Sequence, residues 1–177
     1  MKTIKFTQIA FIAAALAFAL PAHADTMSVP TKEAAAFTLD VPSNWKPKAN
    51  VDDESVEATA PEDHAYLSAW ISKSSDPKAK ENFIKDLEAT LKDSLKSIDE
   101  GSKEEKFAAN GVEMKLIKGS GVDKRAGNKV KFQVAMFSAG ADKIGIVYID
   151  CDADAPKDIM DAIQGVMKSI KVAAPKK

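Results

Sequence analysis

The sequence predicts an α+β protein in which a mostly antiparallel sheet of about six or seven strands is covered by two main helices. Segments of strand-like alternation come in two runs, and a long stretch with helical spacing of apolar residues separates them. A second stretch with helical spacing closes the chain, and short turn signals between neighbouring strands predict antiparallel pairing. Each helix has one apolar face to bury, which gives an α/β/α sandwich.

The first 24 residues have the three parts of a secretory signal peptide. Lys2 and Lys5 precede an apolar run over residues 9–20, and Ala22-His23-Ala24 supplies small residues at −3 and −1 of a cleavage site. The run is shorter than the roughly 20 residues that span a bilayer. We therefore expect cleavage after Ala24, a location in the periplasm or secretion, and no transmembrane span in the mature chain.

Composition narrows the classes of partner. Removing Lys2 and Lys5 from the 25 basic residues leaves 23 against 26 acidic ones, so the mature net charge is near −3. Arg125 is the single arginine, and arginine is the side chain best suited to bidentate phosphate contacts. The sequence therefore argues against nucleic acid as a partner.

The mature part is expected to form one domain over residues 35–172, between a flexible leader at 25–34 and a tail at 173–177. Its first half contains three predicted strands separated by turn residues. In the third strand, Tyr66, Ser68 and Trp70 should face one side, and Leu67, Ala69 and Ile71 the other. The three strands span residues 36–41, 55–59 and 64–72.

The first helix is predicted to start at Asp76-Pro77 and to end at Gly101, with a capping residue at each end. Its apolar stripe recurs every three or four residues, while the other face is charged. The members of the stripe are Phe83, Ile84, Leu87, Leu91, Leu95 and Ile98.

The second half begins with a hairpin around Asn110-Gly111, a strong turn signal, between strands over residues 103–109 and 112–119. A further alternating strand covers 130–136. A strand over 144–149 is apolar on both faces and therefore central. The last helix has an apolar stripe of Ile159, Ile163, Val166, Met167 and Ile170.

The segment from Phe37 to Trp45, FTLDVPSNW, is an extended strand that closes on a Pro-x-x-Trp turn. Together with Tyr148 in a late strand and a final helix ending at Lys168-Ser169-Ile170, it resembles the PsbP-type sandwich of lumenal photosystem subunits, DcrB-like periplasmic proteins and Ran-binding Mog-type proteins. The resemblance implies a non-enzymatic module that binds or supports other proteins, and it carries over no site residue.

The sharpest local feature is an acidic window over residues 150–161. Its aspartates stand at positions 1, 3, 5, 9 and 12, the ligand spacing of an EF-hand calcium loop: Asp150, Asp152, Asp154, Asp158 and Asp161. Ala155 replaces the turn glycine, and Asp161 replaces the bidentate glutamate. Two interpretations follow, a weak calcium site, or an acidic turn whose carboxylates favour the start of a helix.

Four other side chains are candidates. Cys151, the single cysteine, is flanked by aspartates that disfavour a thiolate, so we expect an unreactive thiol that is buried, free or paired with another chain. His64 follows Glu62-Asp63, whose carboxylates would raise its pKa. Trp45 and Trp70 are large enough for a ligand platform, but core packing accounts for them as well.

These observations predict an exported accessory module without catalysis or a required cofactor, which acts on a protein partner of the cell envelope. The alternative is a weak calcium-binding protein or a small enzyme centred on the acidic window.

Overall fold

A computed structural model describes residues 23–73, 79–124, 126–140 and 142–174. Two helices are present in these ranges, α1 Ala79–Ser94 and α2 Lys157–Ser169. Short 3-10 turns cover Ser43–Trp45 and Pro61–Asp63. The strands in chain order are β1 Ala24–Val29, β2 Phe37–Pro42, β3 Lys48–Asn50, β4 Ser55–Thr59, β5 Ala65–Lys73, β6 Leu95–Ile98, β7 Lys103–Ala109, β8 Val112–Asp123, β9 Lys129–Ser138, β10 Lys143–Asp152 and β11 Lys171–Val172.

The strands form two antiparallel sheets. The large sheet has eight strands in the order β3-β4-β5-β10-β9-β8-β6, and β7 pairs with the other half of β8. The small sheet has the order β1-β2-β11. β10 lies between β5 and β9 and is buried on both faces, as its continuous apolar sequence predicts. The predicted α+β class is confirmed, with more strands than expected.

Side-chain alternation gives the large sheet two different faces. In β5, Leu67, Ala69 and Ile71 belong to a core that α2 and the small sheet cover. Tyr66 and Trp70 belong to a second core on the opposite face, where Leu87 and Leu91 of α1 pack. The division predicted for this strand is confirmed, and the layers are helix, sheet, and helix with the small sheet.

α2 is held in place by its buried apolar stripe and by hydrogen bonds at its C-terminal end. Ile163, Val166 and Met167 are buried against the first core. Asn110, in the turn between β7 and β8, donates from its side-chain amide to the carbonyls of Lys168 (2.7 Å) and Ile170 (3.1 Å). The last carbonyls of a helix lack partners within the helix, so this turn both caps α2 and fixes the β7–β8 hairpin beside it.

The predicted end of the first helix is wrong. α1 ends at Ser94, whose carbonyl accepts a hydrogen bond from the backbone N–H of Lys124 (2.9 Å), and the chain continues as β6 paired with β8. Leu95 is buried in that strand, and Ile98 is exposed. The predicted start at Asp76-Pro77 and the side chains of Phe83 and Ile84 lie outside the described residues.

The flexible leader predicted at 25–34 is also corrected, because β1 pairs with β2 along its whole length, from Ala24 opposite Pro42 to Val29 opposite Phe37. In β1 only Met27 and Val29 alternate with polar residues, a pattern too short to predict a strand. In the tail, Ala173 still donates its N–H to the carbonyl of Ala36 (2.8 Å).

Within the described ranges no helix is long and apolar enough to cross a membrane.

Candidate binding cleft

The structure does not bring the five aspartates of the acidic window together. β10 continues to Asp152, so the first part of the window is strand and not loop. Asp150 is buried and accepts a hydrogen bond from the hydroxyl of Tyr148 (2.7 Å), on the face that α1 covers. Burial and the carboxylate of Asp150 both raise the pKa of the Tyr148 hydroxyl.

Asp152 forms a polar cluster at the end of β10. It contacts Nδ1 of His64 through Oδ2 (2.8 Å) and accepts a hydrogen bond from the amide of Asn128. Glu62 lies 3.6 Å from Nε2 of His64. The hydrogen bond to Asp152 raises the pKa of His64, partial desolvation opposes it, and the charges of Asp152, Glu62 and Asp154 add to the rise.

The remaining aspartates of the window lie elsewhere. Asp154 is exposed in the turn after β10, and Asp158 is exposed in the first turn of α2. Asp161 pairs with Lys157 one turn away on the same helix. Across the described ranges, no group of three or more His, Cys, Asp or Glu side chains is placed to share a metal ion. The spacing of an EF-hand loop is present in the sequence, but the strand separates its donors.

Cys151 is buried on the opposite face of β10 from Asp150 and Asp152. Its Sγ lies 3.8 Å from Sδ of Met160 on α2, and it forms no disulfide within the chain. Burial, followed by the charge of Asp150, raises the pKa of the thiol to about 11, although Lys131 opposes the rise. This environment agrees with the unreactive thiol that the flanking aspartates predict.

The two tryptophans pack in the two cores. Trp45 is fully buried in the first core. Trp70 is half-buried in the second core, and its indole N–H is buried without a hydrogen-bond partner among the described residues. Both positions account for the tryptophans as packing residues.

Among the described residues, a concave site lies between α2 and the surface of β8, β9 and β10. It has a volume of about 410 Å³ and is bounded by β7 on the hairpin side. We call it the α2 cleft. Its residues are Phe107, Leu116, Lys118, Gly119, Lys131, Phe132, Gln133, Ile149, Cys151, Met160, Ile163, Gln164, Met167 and Lys168.

The α2 cleft has an apolar interior and a basic rim. Leu116, Ile149 and Ile163 are buried and form its floor and one wall. The charged residues that line it are all lysines, namely Lys118, Lys131 and Lys168. The cleft therefore suits a ligand that joins apolar surface to negative charge.

Two of the rim lysines lie on strands of the sheet and the third lies on α2. Lys131 lies on β9 and faces α2, and its Nζ donates to the carbonyl of Ala153 (2.7 Å). Lys118 lies on β8 and pairs with Glu105 on β7 (2.7 Å). Lys168 is in the last turn of α2, where a cation interacts favourably with the helix dipole.

Sequence reasoning did not find this cleft, although one signal was present. Lys131 and Gln133 alternate with apolar residues in β9, and β9 is an inner strand of the sheet. Polar side chains on the helix-covered face of an inner strand indicate that the helix leaves part of that face open. The signal can be used only once the position of β9 is known.

The sequence matches no protein-family profile and no curated protein. Its fold is similar to that of two solved structures along most of the chain. One is the Ran-binding protein Mog1p of Saccharomyces cerevisiae, with a TM-score of 0.51 and 12% identity over 85% of this chain and 96% of that chain. The other is LpqN of Mycobacterium tuberculosis, which is involved in cell envelope biogenesis. Its TM-score is 0.52 and its sequence identity is 16%, over 86% of this chain and 91% of that chain.

A structure from Bacteroides thetaiotaomicron has a TM-score of 0.49 and 11% identity, and the match covers 78% of this chain. It covers 45% of the other chain, so this chain spans less than half of that protein's length. The predicted resemblance to Mog-type proteins is confirmed at the level of the fold. The resemblance to DcrB-like proteins stays a prediction.

Proposed function

We propose that this chain is an exported accessory module of the cell envelope that acts by binding, not by catalysis, together with a protein partner. The observation that carries the proposal is the α2 cleft, which combines an apolar interior with a rim of three lysines. Pockets of this kind, with apolar walls and a few convergent polar groups, are the usual form of binding sites.

The titratable groups near the cleft support binding over chemistry. Cys151 is the one thiol that lines the cleft, and its pKa of about 11 keeps it neutral near neutral pH. Tyr148 has a raised pKa and points to the other side of the sheet. His64, the side chain best suited to acid–base work, pairs with Asp152 and is not part of the cleft lining.

The similar folds support a protein partner. Mog1p is a Ran-binding protein, and LpqN is involved in cell envelope biogenesis. The sequence of residues 1–24, with its basic start and apolar run, supports export to the periplasm. We place the contact with the partner at the mouth of the α2 cleft, where the lysine rim would attract an acidic surface and speed its association.

Site-specific photo-crosslinking in living cells tests this proposal. A photoreactive residue replaces Gln164, which is exposed on α2 at the cleft, and a matched one replaces Lys48, which is exposed on β3 at the far edge of the large sheet. We expect a discrete crosslinked protein band from position 164, none from position 48, and loss of the band when Lys131 and Lys168 are changed to Glu. Equal patterns at the two positions would contradict the proposal.

A further inference from the structure

The size of the α2 cleft limits what can enter it. Its volume of about 410 Å³ lies at the lower end of the range of roughly 300–1,000 Å³ typical of small-molecule sites. A protein segment could insert only a few side chains into this space. The interior is therefore better matched to a small ligand than to a folded surface, which would rest on the rim.

The interior walls select for an alkyl chain. Leu116 and Ile149 form the sheet side, and Ile163 and Met167 form the helix side, all buried. Met160 lies beside Cys151 at the start of α2. Methionine side chains are flexible and polarisable, so they can adapt to chains of different length and bend.

The rim selects for a negative head group. Lys131 uses one N–H donor for the carbonyl of Ala153, and an ammonium group has three, so two remain for a ligand. Among the described residues, no acidic side chain lies within ion-pair distance of Lys168. Gln133 and Gln164 offer further amide donors in the same lining. A carboxylate at this position would receive charge-assisted hydrogen bonds.

We propose that the α2 cleft binds a free long-chain carboxylate, with its alkyl chain between α2 and the sheet and its head group at Lys131 and Lys168. The inference rests on the proposal that this cleft is the binding site, but it does not require the protein partner. It names a small amphiphilic ligand for the module, whose head group would occupy two of the three rim lysines.

Calorimetry of the delipidated mature protein with sodium dodecanoate tests the proposal. We expect saturable one-to-one binding, much weaker binding of dodecanol, which has the same chain without the charge, and weaker binding still of dodecyltrimethylammonium. Changing Lys131 and Lys168 to Gln should weaken dodecanoate binding by about tenfold to a hundredfold, the range for charge-assisted hydrogen bonds. The matched control Lys48→Gln, at the far edge of the sheet, should bind like the wild type.

The single cysteine locates the ligand. Cys151 lines the cleft, so bound dodecanoate should slow its reaction with a maleimide severalfold at alkaline pH. An unchanged labelling rate at saturation would place the ligand elsewhere and overturn the proposal. So would equal affinity for dodecanol, or wild-type affinity in the Lys131→Gln, Lys168→Gln variant. Absence of saturable heat at each of two temperatures, up to about 1 mM ligand, would overturn it as well, because the enthalpy of apolar burial changes with temperature.

The two proposals can fail separately. Crosslinking from position 164 without dodecanoate binding would leave a binding module whose cleft accepts side chains of its partner, and the carboxylate inference would fall. Dodecanoate binding without crosslinking would leave the ligand site and remove the protein partner. Failure of both would remove the α2 cleft as the functional site.

Discussion

Two neighbouring residues of β10 show how position in a sheet decides the chemistry of a side chain. Cys151 faces α2, where burial raises the pKa of its thiol to about 11. Asp152 faces the other way and pairs with His64. From adjacent charges, the sequence predicted that the pKa values of Cys151 and His64 are both raised. Burial is the larger cause for Cys151, and it depends on the helix that packs above the thiol.

The pairing of His64 with Asp152 predicts a pH-dependent contribution to stability. The pKa of His64 is raised in the folded state, so folding strengthens proton binding. The stabilisation is then fully present below the unfolded pKa of about 6.5 and is lost as the pH rises through the higher folded value. Asp152, Glu62 and Asp154 are the charged groups that act on the ring.

We expect the melting temperature of the wild type to exceed that of His64→Gln most at about pH 5 and least at about pH 8. Thermal unfolding of both proteins across this range measures the difference. Asp152→Asn in the wild-type background should make this part of the melting temperature depend less on pH, because it removes the main partner of His64. A difference that grows with pH would show that the sign of the pKa shift is wrong.

Among the elements, pairing between strands joined by a short turn was predictable, and pairing between strands distant in the chain was not. Asn110-Gly111 predicted a hairpin whose strands, Lys103–Ala109 and the start of β8, are found as expected. β3 has three residues and was missed because a strand that short carries no periodicity. β6 was missed because Leu95 and Ile98 continue the spacing of α1, and only pairing with β8 separates strand from helix.

Two glycines on different elements should respond to alanine in opposite directions. Gly165 lies within α2, and a Cβ there would meet open space, so Gly165→Ala should stabilise by about 0.5–1 kcal/mol through higher helix propensity. At Gly121 of β8 a Cβ would lie 2.3 Å from the carbonyl oxygen of Ser97 on β6. Backbone cannot yield without loss of pairing, so Gly121→Ala should destabilise.

Chemical denaturation of both variants checks this pair, with the change in midpoint at constant slope as the measure of stability. A stabilised Gly121→Ala would mean that β6 does not approach β8 as closely as described. A destabilised Gly165→Ala would mean that α2 has a close neighbour on its outer side.

At the scale of the whole molecule, the order of layers was predictable and the cleft between them was not. One-faced helices and alternating strands require that helices cover a sheet, which the sequence shows directly. The cleft depends on how far α2 covers β8 and β9. In the chain, β10 lies between these two strands and the helix. The aspartates of the acidic window lie apart for a related reason, since the first three residues of the window belong to β10.

The proposed export makes a prediction about the mature chain. N-terminal sequencing of the exported protein should start at Asp25, which leaves β1 paired with β2 from Asp25 opposite Val41. A mature chain beginning beyond Val29 would lack this strand of the small sheet. That result, or retention of Met1, would contradict the proposed cleavage after Ala24.

The reactivity of Cys151, which lines the α2 cleft, measures whether the cleft is occupied in the cell. A membrane-impermeant maleimide is applied to the periplasm and to the purified, delipidated protein at the same pH, with Lys48→Cys in a Cys151→Ser background as an exposed control. We predict that Cys151 reacts severalfold more slowly in the periplasm, that the control reacts equally in both, and that Lys131→Glu with Lys168→Glu removes the protection. Equal rates for Cys151 in both settings would contradict the account.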